Sequence, residues 1–198
     1  MKKNKLIAVT GIVSLLAFSS CVKQIDKTFK GATVVELDAA PLNSLTSGQT
    51  YTIFTRIPAH GLPISTSRDS TARRYNGTIR LRVNLVGPQS DQSQTIGYKI
   101  FPSPITSVAY GATVSGQTPS AGSATLAVQN AVPGTHYDAL SGLCTIPAQS
   151  SFGYIDIVVR NVGPTAGQAR FIGIQLDSSG SLKPNPNYNK LGITIDQR

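Results

Sequence analysis

The sequence predicts an all-β fold, an antiparallel β-sandwich, and three observations carry that prediction. Apolar and polar residues alternate with period two along several short runs, the pattern of half-buried strands. Eighteen Gly and twelve Pro among 198 residues cut the chain into pieces that suit strands better than helices. Beyond residue 20 no helical stripe, heptad or internal repeat appears. Apolar residues make up 40% of the chain, enough for a core, and the length suits one domain after processing.

The first thirty residues read as address rather than fold. Lys2, Lys3 and Lys5 form a basic start, and Leu6–Phe18 is an apolar run. That run falls short of the about 20 residues a membrane-spanning helix needs; it has the form of a secretory leader. Ser19-Ser20-Cys21 places small residues before a cysteine, which looks like a bacterial lipobox. The expected processing is removal of residues 1–20 as a lipoprotein signal peptide and acylation of Cys21. Several acyl chains, at roughly 0.8 kcal/mol per buried CH₂, make a stable anchor. Residues 21–30 then form a polar, Lys-rich tether, and residues 31–198 a single sandwich domain. With Lys2, Lys3 and Lys5 gone, the formal charge falls from +9 to +6. No Lys/Arg run with interleaved aromatics is present, which argues against nucleic acid.

Within the domain, Thr33–Leu37 is β-branched and apolar, a first strand, and Tyr51–Thr55 a second. Ile57–Gly77 lacks periodicity and reads as a long loop. Thr78–Val86 is the cleanest strand: Ile79, Leu81, Val83 and Leu85 share one face, Arg80, Arg82 and Asn84 the other. Thr95–Phe101 puts Ile96, Tyr98 and Ile100 together, opposite Lys99. Pro102–Ser123 is a second long excursion with a short strand around Val108–Val114, and Tyr110 is expected there as an exposed aromatic. Ala124–Gln129 feeds a corner at Pro133-Gly134. Leu143–Ile146 is a short strand with Cys144 and Ile146 on one face. Ile155, Ile157 and Val159 alternate with Asp156, Val158 and Arg160. Ala169–Leu176 and Leu191–Asp196 complete a sandwich of about seven to ten strands.

The corner carries a resemblance. The order A-x-x-G-x-x-Y at Ala131, Gly134 and Tyr137, then T-I-P-A-x-x-S from Thr145, then an alternating strand, resembles Calx-β-like and immunoglobulin-like sandwich domains. It looks most like those in outer-membrane lipoproteins of Bacteroidota, often encoded beside Sus-type glycan-uptake systems. The ending F-I-G-I-Q-L-D-S-S, N-x-N-Y and I-T-I is similar to the same lipoproteins. The resemblance implies an immunoglobulin-like/Calx-β-like sandwich and an outer-membrane, lipid-anchored location, on either the cell surface or the periplasmic face. Calx-β domains can bind Ca²⁺ and commonly place an acid just before the corner tyrosine. Here that position is His136, and no D-x-D loop is present, so the scaffold is implied without the ion site.

The residues give catalysis little to work with. His60 and His136 stand in separate segments, Glu36 is the single Glu, and no hydrolase or metalloprotease motif occurs. No metal site, cofactor or enzymatic activity is expected. Cys144 reads as a small buried hydrophobe, His136 as a turn residue, and Tyr137 as a corner ring that buries itself and ties its hydroxyl to the backbone. Arg56, Arg68, Arg73, Arg74, Arg80 and Arg82 cluster in the sequence. A solvated face is the ordinary outcome of such a cluster. A patch for an anionic partner is the specific alternative, with Arg68, Arg73, Arg74, Arg80, Arg82 and Tyr110 as candidate ligand-binding residues. The expected function is that of a non-enzymatic envelope lipoprotein presenting a sandwich for ligand or protein binding. Its expected role is accessory to glycan uptake, with glycans or outer-membrane uptake proteins as candidate partners. The alternative is a structural adhesin, fimbrial or protein–protein module.

Overall fold

Thr78–Val86 forms a nine-residue strand whose burial alternates as its sequence does: Ile79, Leu81, Val83 and Leu85 point inward. Ile155 and Ile157 do the same on Phe152–Val158, directly opposite Leu81 and Ile79. The computed structural model describes residues 29–40, 46–62, 70–75, 77–113, 120–180 and 182–198. The expected signal peptide and Cys21 lie outside them, as does Arg68.

Eleven strands occur among the described residues, β1 (Val34–Leu37), β2 (Ile53–Phe54), β3 (Thr78–Val86), β4 (Gln94–Phe101), β5 (Ser107–Tyr110), β6 (Ala124–Asn130), β7 (Leu143–Ile146), β8 (Phe152–Val158), β9 (Gln168–Leu176), β10 (Lys183–Pro184) and β11 (Lys190–Asp196). The first sheet runs β10-β1-β3-β8 and the second β2-β11-β9-β4-β7. The β5–β6 hairpin joins the second sheet through β6, which pairs with the first half of β9 while β4 pairs with the second half. One core lies between the sheets. Val35, Leu37, Ile79, Leu81 and Val83 meet Ile96, Ile172, Ile174, Leu191 and Ile193 across it. This is the all-β sandwich that the alternating runs predict, lying within the compact unit Gly31–Arg198.

Periodicity assigns faces but not neighbours, and the differences from expectation follow from that. Three pairings are parallel, β1 with β10, β2 with β11 and β6 with β9, so both sheets are mixed. The second expected strand shrinks to Ile53–Phe54. β10 sits in a stretch whose Pro and Asn content hid it. Ile100 shares the face of Ile96 and Tyr98 and lies opposite Ile174, yet is 45% exposed. β7 pairs with β4 only as far as Gly97, so nothing in that strand extends over Ile100.

The second sheet also buries its outer face, which a simple sandwich leaves wet. Tyr51, Ile53 and Phe171 pack there with Phe101, Ile105 and Val128. Tyr110, Leu126 and Ala169 form a neighbouring cluster. The long connection Pro102–Ser123 is thus in part a cover: its described portion includes β5. The first sheet's outer face has no such cover among the described residues.

The corner behaves as its residues dictate. Gly134 takes a positive φ of 79°, a backbone conformation that costs glycine little. Its N–H donates to the Tyr137 carbonyl at 2.7 Å, and Tyr137 bridges to Val159. The Tyr137 ring is buried in the main core. The tie is made by main-chain groups, and no hydroxyl-to-backbone hydrogen bond of Tyr137 occurs among the described residues. Gly153 is needed where β7 passes β8, since a Cβ there would lie 2.3 Å from the Thr145 carbonyl oxygen.

Candidate binding face

The arginines of the basic cluster separate into different environments. Arg73 is buried, not on a solvated loop: its Nη1 donates to Asp196 Oδ2 at 2.8 Å, with the two side chains 2% and 0% exposed. Arg198 holds the same carboxylate, donating from Nη2 to Oδ2 at 2.9 Å and from Nε to Oδ1 at 3.1 Å. Segment 70–75 is drawn into the fold by bridges from Thr71 to Arg56 and from Arg73 to Asp196, with Ala72 in the core. Arg74 Nη1 donates to Asn161 Oδ1, and its guanidinium lies 5.5 Å from the Tyr75 centroid. Tyr110 is a correction: it is 4% exposed, in the cluster with Leu126 and Ala169. Burial raises its pKa, and its hydroxyl, close to Thr194, has no well-formed hydrogen bond. It offers no surface to a ligand. Arg73 and Tyr110 therefore leave the set of binding candidates.

Of the described candidates Arg74, Arg80 and Arg82 remain, the last two on the outer face of the first sheet, which lacks a cover among the described residues. Register explains what they meet. Outward residues of β3 and β8 fall opposite one another: Thr78 with Val158, Arg80 with Asp156, Arg82 with Tyr154 and Asn84 with Phe152. Arg80 makes a two-pronged pair with Asp156, Nε to Oδ1 and Nη2 to Oδ2, both at 2.7 Å. This bond raises the Arg80 pKa further. Its guanidinium also lies over the Tyr154 ring, 4.7 Å from the centroid. Arg82 pairs with Asp38 at 2.5 Å and lies 5.6 Å from the Phe152 centroid. The Phe152 and Tyr154 rings meet edge to face at 5.5 Å, a favoured aromatic geometry. They are 38% and 37% exposed, with Val158 further along the same stripe. His60 closes one margin, Nδ1 3.2 Å from Asp38 Oδ2 and Nε2 3.1 Å from the Arg80 carbonyl oxygen.

Sequence reasoning placed Arg80 and Arg82 together and missed Phe152, Tyr154, Asp156, Asp38 and His60. A signal was available. Alternation that sends Ile155 and Ile157 inward sends Phe152 and Tyr154 outward, and two aromatics on a solvent face are unusual enough to mark.

The remaining reactive groups serve the fold. The Cys144 thiol is buried, and burial, then Asp156 nearby, raises its pKa to about 11. At neutral pH it is a thiol and a poor nucleophile. His136 Nδ1 accepts the Val132 N–H at 3.0 Å, capping the corner; burial, then Arg170, lowers its pKa. Among the described residues no group of three His, Cys, Asp or Glu could hold a metal.

No family model matches the chain, and no curated protein matches its sequence. Among solved structures it is similar to the CBD1 domain of Calx in its apo form, with a TM-score of 0.45 and 14% identity. The alignment covers 85% of this chain and all of that one.

Proposed function

We propose that this protein is a non-enzymatic, lipid-anchored outer-membrane protein that presents the outer face of β1, β3 and β8 to a binding partner, as an accessory to glycan uptake. One observation carries the reading: the second sheet covers its outer face, while the first leaves paired arginines and two aromatic rings open to solvent. An exposed aromatic stripe is costly to keep in water and is a common mark of recognition. The arginines are held in place by carboxylates, and the rings rest on a rigid strand pair, so the face is pre-shaped for a partner. The leader and the Ser19-Ser20-Cys21 sequence support the anchor.

The face is tested by placing a photo-crosslinking amino acid at Phe152 or at Val162 on intact cells of the native host. Adducts are expected from position 152 and not from the exposed loop position 162. Equal labelling from both sites, or none from 152, would count against the face. The anchor is tested separately with a labelled fatty acid: wild type should take up label, and Cys21→Ala should lose both label and membrane fractionation. Label retained by the variant would refute acylation at Cys21.

A further inference from the structure

We infer that the outer face of β3 and β8 is a saccharide-binding surface whose ligand is an uncharged glycan, stacked on Phe152 and Tyr154 and hydrogen-bonded by Arg80 and Asp156. The inference rests on the reading that this face meets the partner, and it names the partner's chemistry.

Charge comes first. The outward residues of β1, β3, β8 and β10 and their immediate partners include Arg80, Arg82 and Lys183 against Glu36, Asp38 and Asp156, three cations and three carboxylates. The face is balanced, although the chain as a whole is basic. Such a surface has no net attraction for a polyanion, so the basic sequence cluster does not translate into a basic patch. A nucleic acid or an acidic glycan would gain little from it.

A protein partner fits less well than a glycan. Arginine and aromatic residues are enriched in protein interfaces, but Arg80 and Arg82 are already tied to Asp156 and Asp38, and burying those pairs under an apolar surface would desolvate them at a cost that can exceed their attraction. A polyhydroxyl ligand does not impose that cost. Each sugar hydroxyl is both donor and acceptor. It can donate to Asp156 and accept from Arg80 while that pair stays intact. The fork geometry of the Arg80–Asp156 pair sets the two groups side by side, one donor and one acceptor, 2.7 Å apart.

The rings supply the apolar half. A pyranose ring has a C–H face that packs on an aromatic plane, as other apolar surface does. Phe152 and Tyr154 stand at consecutive outward positions of β8, with Val158 beyond Asp156. From Phe152 to Val158 the stripe runs about 20 Å at the usual strand rise, long enough for several sugar units. Asn84, opposite Phe152, lies at the stripe's other flank and adds amide groups.

The test uses the full chain purified in detergent. Its migration is measured by affinity electrophoresis through gels containing a neutral β-glucan, a mannan or a xylan, and in parallel a polygalacturonate. At least one neutral glycan is expected to bind, with Kd changing less than about twofold as salt rises tenfold, since no net charge is screened. Tyr154→Ala and Phe152→Ala should each weaken binding about tenfold or more, and Arg80→Lys, which loses the fork, should weaken it too. All three sites are at the surface, so melting temperatures should stay near the parent's. Retardation by polygalacturonate alone, relieved by salt, overturns the uncharged ligand. If no glycan binds yet a crosslinker at position 152 captures a protein on cells, the saccharide inference falls and the face stands. If no glycan binds and position 152 captures nothing, both fall.

Discussion

Val83→Asp is expected to unfold the domain, or to lower its melting temperature by more than about 8 °C. Val83 lies in the middle of β3, fully buried among apolar residues of both sheets. A carboxylate there loses its water and gains no counter-ion. The effective penalty is several kcal/mol, of the order of 4 kcal/mol with the lost packing. A domain of this size shifts by about 2–4 °C per kcal/mol. Total stability is only about 5–15 kcal/mol, so this loss is a large fraction of it. Thr95→Asp, at an exposed position of β4, is the control and should melt near the parent. If Val83→Asp melts like the parent, the inward face of β3 is wrongly assigned.

The second large effect is expected at Asp196, in the interior and away from the proposed binding face. Asp196 is fully buried between Arg73, itself 2% exposed, and Arg198. Asp196→Asn keeps the shape and removes the counter-charge of a buried guanidinium. Breaking a buried pair this way costs roughly 3–5 kcal/mol. Arg80→Ala breaks a pair whose members are 56% and 41% exposed, and such pairs contribute about 0–1 kcal/mol. Urea unfolding of the two variants separates the effects: Asp196→Asn should lower the midpoint several times further than Arg80→Ala. Equal shifts would show that the Arg73–Asp196 pair is not the internal tie described here. The same contrast explains why mutating Arg73 would not report on binding alone, since it would weaken the fold first.

Much of this architecture is legible in the sequence, for a physical reason. β3 and β8 have one wet face and one dry face, so their alternation is written in residue type. Ile79, Leu81, Val83, Leu85, Ile155, Ile157 and Ile174 are all inward as expected. The corner at Pro133–Tyr137 is legible because proline fixes the backbone locally and glycine admits the positive φ that the turn needs. What escapes is non-local. Arg73 reads as a solvated loop charge because its partner, Asp196, lies 123 residues further on. Tyr110 reads as exposed because nothing in Pro102–Ser123 announces that β5 and β6 pack on the second sheet. β10 is two residues long and pairs in parallel with β1, a contact for which the chain carries no periodic mark. The binding face is half legible. Spacing puts Arg80 and Arg82 together, but only the β3–β8 register brings Asp156, Tyr154 and Phe152 beside them.

Covalent footprinting on cells tests the outer face of β3 and β8 most directly. Hydroxyl-radical labelling of the protein in the envelope of its native host is compared with labelling of the purified chain. Phe152 and Tyr154 should be labelled in the purified chain and protected on cells grown with the partner present. Leu143 and Val162, exposed elsewhere on the domain, should be labelled alike in both. Protection at Phe152 and Tyr154 with none at Leu143 and Val162 is the predicted result. Unchanged labelling of both rings, on cells and in solution, would contradict the assignment of this face as the site where the protein meets its partner.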